Sequence, residues 1–279
     1  MEFRTEEARQ QYDAVVAVAR EVVVGLDFDG TLSPIVEDPA AAVIHPDGPD
    51  ALVGLAARVR AVAVVTGRPA HQVVALGRLD AVADALPPGA RLLVRGQYGN
   101  EQWDSDDRTF VTHEVPAGLA AFQAELPKLL AAEDAADAYV EEKGLAVAVH
   151  TRRLPDPAAA FARLEPELAD AAERHGLALE PGRLVLEVRA PGMHKGHALR
   201  QVVSDTDAGG VVFVGDDLGD LEAFEAARSM RSQGLPVLLV CSGSVEEQAL
   251  ADIAVVVVPG PDGVMGLLRQ LSSDAGRER

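Results

Sequence analysis

Cysteine is almost absent from this 279-residue chain, Cys241 being the only one. No internal disulfide can form, and no thiolate cage for zinc can be built. In the apolar run LPVLLVC that residue reads as a buried, inert thiol. Aromatic residues make up only 4%, leaving few platforms on which single-stranded bases could stack. Basic residues are also scarce, 25 against 44 acidic ones, for a formal net charge of −19. Such a surface repels phosphate backbones and anionic bilayers, so neither nucleic acid nor a membrane is expected as a partner. Long apolar runs are missing too. IAVVVV at Ile253–Val258 falls far short of the ~20 residues a spanning helix needs. The start, MEFRTEEARQQYDAVVAVAR, is charged and helix-like, with neither a basic n-region nor an apolar h-region. The expectation is a soluble, cytoplasmic monomer.

What is present is enough apolar residue, 48%, to bury a full core in one large domain or two modest ones. Short apolar strands recur at Val22–Leu26, Ala61–Val65, Arg91–Val94, Val211–Val214, Val237–Val240 and Ala254–Val258. Helical stretches at Asp50–Arg60, Pro69–Leu79, His197–Val203 and Leu218–Met230 alternate with them. This alternation predicts an α/β fold with a Rossmann-like, doubly wound parallel sheet. Between Asp107 and Ala190 the texture changes to α+β: a strand-like RTFVTHEV, a helix over Ala117–Ala132, two strands around Lys143–Gly144, a helix over Pro157–His175 and a strand at Leu184–Arg189. Polar turns, WDSDDR and RAPGMH, bracket it. The reading is therefore a core of residues 1–106 and 191–279 with an inserted domain at 107–190, and a disordered tail, SSDAGRER.

The richest stretch is VVVGLDFDGTLSP, in which a buried strand delivers Asp27 and Asp29 into a turn. Open α/β sheets bind ligands beyond the carboxyl ends of such strands. Alternation of side chains starts the two aspartates on one side, where mutual repulsion calls for a cation, a proton or a division of labour. A second acidic strand end, VVFVGDDLGDLEAF, offers Asp216 and Asp217, with Asp220 a turn later; helix capping is the competing role for Asp217 and Asp220. Carboxylates and carbonyls suit Mg²⁺. A third end, AVAVVTGRP, presents Thr66, Gly67 and Arg68 before a helix, and a hydroxyl beside free N–H groups makes a seat for an anion. Lys195 in MHKGHALR opens a helix, where its charge opposes the dipole. A bound phosphate would compensate that charge. These parts meet the needs of in-line phosphoryl transfer. Asp27 would attack phosphorus, Asp29 would act as acid and then base, and Mg²⁺ would sit between Asp27, the Asp29 carbonyl and Asp216, with Asp217 as a further metal residue.

In order and content, LDFDGTLSP, VVTGRP, HKG and VGDDLGD resemble the four motifs of haloacid dehalogenase superfamily phosphatases. More narrowly, RGQYGNE, VEEKGLAVAVHTRR and LEVRAPGMHKG resemble segments of the trehalose-6-phosphate phosphatases. The resemblance implies a Rossmann-like core carrying a C2-type cap, Mg²⁺ as cofactor, and a small sugar phosphate as substrate. It also implies that Glu141, Lys143 and Glu187 contact glucose hydroxyls. Glu141 and Lys143 share a strand face, and charged donors and acceptors of this kind suit a polyhydroxylated ligand. His150 and Arg152 either reach the phosphate or pair on the sheet. Two positions depart from the family pattern: Tyr98 stands where Gly-x-His-Gly is usual, and Gly219 replaces the threonine of GDDxTD. Two alternatives stand beside this reading. One is a phosphatase for a sucrose- or mannosylglycerate-type phosphate; the other is a receiver-like switch that keeps its phosphate.

Overall fold

The computed structural model describes residues 5–36, 38–243, 250 and 253–277; the first four and last two residues of the expected terminal segments lie outside that range. The chain divides into two compact units, Met1–Thr112 with His194–Arg279, and His113–Met193.

In the first unit, strands β1 (Val22–Leu26), β2 (Ala61–Val65) and β3 (Leu92–Gly96) join two short strands, β4 (Glu101–Asp104) and β5 (Phe110–Thr112). From beyond the second unit come β10 (Gly210–Gly215), β11 (Val237–Gly243) and β12 (Val256–Pro259). Their order is β12-β11-β10-β1-β2-β3-β4-β5. Pairing is parallel from β12 to β3 and antiparallel at β4 and β5. Why this sheet is covered on both faces follows from its period of two. Val22, Val24 and Leu26 enter one apolar cluster, with α1 (Glu6–Ala17), α2 (Gly48–Ala56), α3 (Ala70–Leu76), α4 (Leu79–Ala85) and α9 (Gly260–Ala275). Val23, Val211 and Phe213 enter the other, with α7 (Lys195–Thr206) and α8 (Leu221–Ser232). Strands buried on both faces have no polar side to show, and they read as unbroken apolar runs. Cys241 lies buried among them.

In the second unit, β6 (Tyr139–Glu142), β7 (Ala146–His150), β8 (Ala178–Gly182) and β9 (Val185–Arg189) form an antiparallel sheet of order β6-β7-β9-β8. One face packs on α5 (Leu119–Ala132) and α6 (Pro157–Arg174) through Val147, Val149, Leu186 and Val188.

Four expectations are corrected. RTFVTHEV does not open the inserted unit: Phe110–Thr112 pairs with β4 on the main sheet, which places the first boundary at Thr112/His113. The helix expected over Pro69–Leu79 is two helices, because Arg78 adopts a left-handed φ of 50° between them. Leu218–Met230 begins as a 3-10 turn, Leu218–Asp220. The tail is ordered through Ala275: Ser272 donates to the Gly54 carbonyl, and Asp274 accepts from the Tyr12 hydroxyl at 2.9 Å.

Candidate active site

The central strand β1 ends at Leu26, but its ladder continues for one residue, the Asp27 N–H donating to the Val214 carbonyl at 2.9 Å. Asp27 is thereby fixed at the carboxyl end of the sheet, 4% exposed. Lys195, the first residue of α7, reaches the same point. Its Nζ lies 2.8 Å from Asp27 Oδ1 and 2.8 Å from Asp220 Oδ1. Asp220 is fully buried, and its second oxygen accepts from the N–H groups of Asp216 and Asp217. It therefore ties the turn after β10 to the lysine. Asp216 completes the group: one oxygen from each of Asp27, Asp216 and Asp220 lies within 4.8 Å of the others.

Close approach to the Asp27 turn depends on Gly30. At φ +69°, a Cβ there would lie 2.0 Å from Asp216 Oδ2, so only glycine fits. Ser242 at the end of β11 pins the same turn by donating to the Gly30 carbonyl at 2.7 Å.

Three buried carboxylates around one ammonium leave an excess of negative charge. Burial, and then the neighbouring acids, raise Asp27 well above the usual carboxylate range although Lys195 opposes the rise. Burial and the charges of Asp27, Asp220 and Asp217 push Asp216 up to about 10. Burial alone would lower the Lys195 ammonium, but Asp220 and Asp27 more than reverse this and raise it well above its ordinary value. Such a cluster takes up a proton or a cation. Its donors are all hard oxygens, which fits Mg²⁺. The Asp216 carboxylate accepts no hydrogen bond among the described residues, so Asp27 and Asp216 are the pair best placed to hold the ion.

Not every expected ligand joins this group. Asp217 is exposed and caps the following turn, accepting from the Gly219 N–H at 2.9 Å; Gly219 itself therefore serves a cap. The side chain of Asp29, expected as the acid and base while its carbonyl serves the ion, turns to Arg68, at 2.6 Å and 2.7 Å. Asp220, read from the sequence as a second acid or a cap, is both. At the third strand end, Thr66 is buried and its hydroxyl accepts from the Arg68 N–H at 3.1 Å. The Ala70 N–H that opens α3 is taken by Glu101 Oε2 at 2.6 Å. Tyr98, in a left-handed turn at φ 59°, lays its hydroxyl where a Gly67 Cβ would be, 2.6 Å away. The departure at Tyr98 and the glycine at position 67 thus belong together.

In the second unit the register sets Glu141, Ala148, Glu187 and Glu180 in one row across four strands. Lys143 pairs with Glu187 at 2.6 Å, His150 with Glu141 at 2.9 Å, and buried Arg189 with Glu187 and Glu180. Glu141, Lys143 and Glu187 are therefore brought together, as is His150. Arg152 is not: it is exposed and donates to the Arg183 carbonyl.

The chain is similar to known proteins of one family. The profile of the family described as trehalose-phosphatase matches residues 25–83 and 128–258. A probable trehalose-phosphate phosphatase of Sinorhizobium fredii is 30% identical over 252 residues, 88% of this chain and 86% of that one. Other curated trehalose-phosphate phosphatases are longer, and the chain spans 54% to 66% of their length. Among solved structures, the C-terminal domain of Candida albicans trehalose-6-phosphate phosphatase superposes with a TM-score of 0.75 at 19% identity, covering 98% of each chain. A haloacid dehalogenase-like hydrolase from Bacteroides thetaiotaomicron does so with a TM-score of 0.63 at 13% identity, over 89% of this chain and 98% of its own. At these identities the likeness speaks for the fold. The matched profile, which takes in Asp27, Lys195 and Asp216, and the Sinorhizobium relative establish that the chain belongs to the trehalose-phosphatase family.

Proposed function

We propose that the chain is a Mg²⁺-dependent phosphatase that hydrolyses trehalose 6-phosphate to trehalose and orthophosphate. The observation that carries this reading is the Asp27 carboxylate, one oxygen held by Lys195 at 2.8 Å and the other accepting no hydrogen bond among the described residues. That free oxygen attacks phosphorus while the bond from phosphorus to the sugar oxygen breaks, giving an aspartyl-phosphate. Asp29 gives its proton to the departing sugar oxygen. It then takes a proton from a water molecule, whose oxygen attacks phosphorus and releases Asp27. Lys195 offsets charge on Asp27 and on the incoming phosphate, and the Thr66 hydroxyl and Gly67 N–H receive phosphate oxygens. Mg²⁺ held by Asp27 and Asp216 would neutralise charge where two anions must meet.

The second unit, residues 113–193, is assigned sugar recognition. Glu141, Lys143 and Glu187 present acceptors and donors to hydroxyls, held in place by the Lys143–Glu187 and His150–Glu141 pairs. Once a bound sugar covers it, a row of this kind rejects analogues that leave its polar groups unpaired. One cysteine, with no second in the sequence to pair with, suits a reducing compartment such as the cytoplasm.

The test is orthophosphate release from trehalose 6-phosphate, sucrose and mannosylglycerate phosphates and glucose 6-phosphate, with and without Mg²⁺. Trehalose 6-phosphate is expected to be fastest, and Asp27→Asn to lose at least ~10³-fold in kcat. Equal rates across the panel would remove the assigned substrate; an active Asp27→Asn would remove the nucleophile.

A further inference from the structure

We propose that Arg68 is a positioning residue that fixes the plane of the Asp29 carboxylate, rather than the phosphate ligand its place in VVTGRP suggests. The inference rests on the reading of Asp29 as the acid and base of the reaction. Nε of Arg68 lies 2.6 Å from Asp29 Oδ2, and Nη2 lies 2.7 Å from Oδ1, so both carboxylate oxygens are gripped by one planar fork. Nη1 donates to the Pro39 carbonyl at 2.9 Å. The guanidinium carbon sits 5.9 Å from the centroid of Phe28, a fully buried ring between the two aspartates in sequence. Three of the five N–H donors an arginine owns are committed in these contacts. The Nε and Nη2 edge through which the guanidinium holds Asp29 is therefore not open to a phosphate.

The consequence lies in what Asp29 would do alone. Its side chain is 40% exposed, against 15% for Arg68, and among the described residues this fork supplies the hydrogen bonds that hold the carboxylate against rotation in solvent. Proton transfer requires the carboxyl within hydrogen-bond reach of the oxygen it serves, and small errors of placement are costly. The fork leaves each oxygen a second lone-pair site for water; in the protonated form, one oxygen still accepts from arginine while the other donates to the leaving group. Lysine cannot do this, because it offers a point charge without a fork.

The test uses the full chain, with Arg68→Lys, Arg68→Gln, Asp29→Asn and the double variants. Thermal unfolding checks that each is folded. On trehalose 6-phosphate, either arginine variant should lower kcat ~10- to 100-fold, with KM and the inhibition constant of orthophosphate within ~3-fold. In single turnovers of 4-nitrophenyl phosphate, whose leaving group needs no proton, release of nitrophenolate should stay within ~3-fold of wild type. In the Asp29→Asn background the arginine change should cost under ~2-fold more, since a residue acting through Asp29 has nothing left to act on. If orthophosphate inhibition weakens and nitrophenolate release slows in both backgrounds, Arg68 is a phosphate ligand and the proposal falls. A wild-type chain that cleaves the aryl ester but not trehalose 6-phosphate removes the substrate proposed above; kcat is then read on the best alkyl phosphate, and the arginine cycle decides as before.

Discussion

Lys195 stands where its own helix opposes it, at the N-terminal end of α7, and it is held there by two buried carboxylates at 2.8 Å. Those contacts outweigh both the dipole and the loss of water around the ammonium. Lys195→Met would leave Asp27 and Asp220 buried against each other with no cation between them. Breaking a buried pair in this way costs about 3–5 kcal/mol, so urea unfolding should show a loss of that order together with loss of turnover. A folded variant of unchanged stability would mean that the lysine does not hold the pair. Gly30→Ala tests the same spot from the other side, since its Cβ would sit 2.0 Å from Asp216 Oδ2 at φ +69°. Turnover should fall while the sheet stays folded, as read by circular dichroism. The sequence shows why such residues meet: strands with parallel neighbours end on one edge, so an acid after each apolar run arrives at one place. It does not show which acid turns inward. Asp217 and Asp220 differ by one cap, and that choice is made by the turn Leu218–Asp220, where Asp217 accepts from Gly219 and Asp220 accepts from Asp216. Nor does it show that Arg68 would choose Asp29, because the two lie 39 residues apart.

Elements buried on both faces are the ones that the chain announces: Val22–Leu26 and Ala61–Val65 are strands over the ranges read from their apolar runs. Elements whose residues conflict with their structure are hidden. β8 is ALEPG, ending in proline and glycine, and it is tolerated because it lies at the edge of its sheet. β4 is EQWD, short and polar, on the antiparallel margin. α9 carries three glycines that blur its period, yet it buries Val264, Leu267, Leu268 and Leu271. Its packing gives a test of the ordered tail. Leu271 is 1% exposed, and Leu271→Ala should cost about 2–5 kcal/mol as transfer and cavity terms add. Tyr12→Phe removes the hydroxyl that links α1 to Asp274 at 2.9 Å, and should cost about 0.5–1.5 kcal/mol. Denaturant midpoints check both, and a Leu271→Ala variant as stable as wild type would return that segment to a loose tail.

At the scale of the whole molecule, the charge of −19 raises the question of how an acidic protein concentrates acids further and stays folded. Asp216 supplies the answer in linkage terms. Its carboxyl rises from 3.8 to about 10 on folding, so the folded state holds a proton that the unfolded chain has lost over that interval. Stability from this group is present in full below the unfolded value and declines as pH climbs toward the folded one. A divalent cation binds the ionised carboxylate and so replaces the proton, which makes its affinity grow with pH. Thermal unfolding with and without saturating Mg²⁺ should therefore show a larger upward shift at about pH 8.5 than at about pH 6. At a hundredfold excess over the dissociation constant the gain should be about 2.7 kcal/mol. Asp216→Asn should remove both the Mg²⁺ shift and its pH dependence, while raising the stability of the metal-free protein in alkali. A shift that is equal at both pH values, or that survives Asp216→Asn, would locate the ion away from the buried acids and leave their charge to the lysine alone.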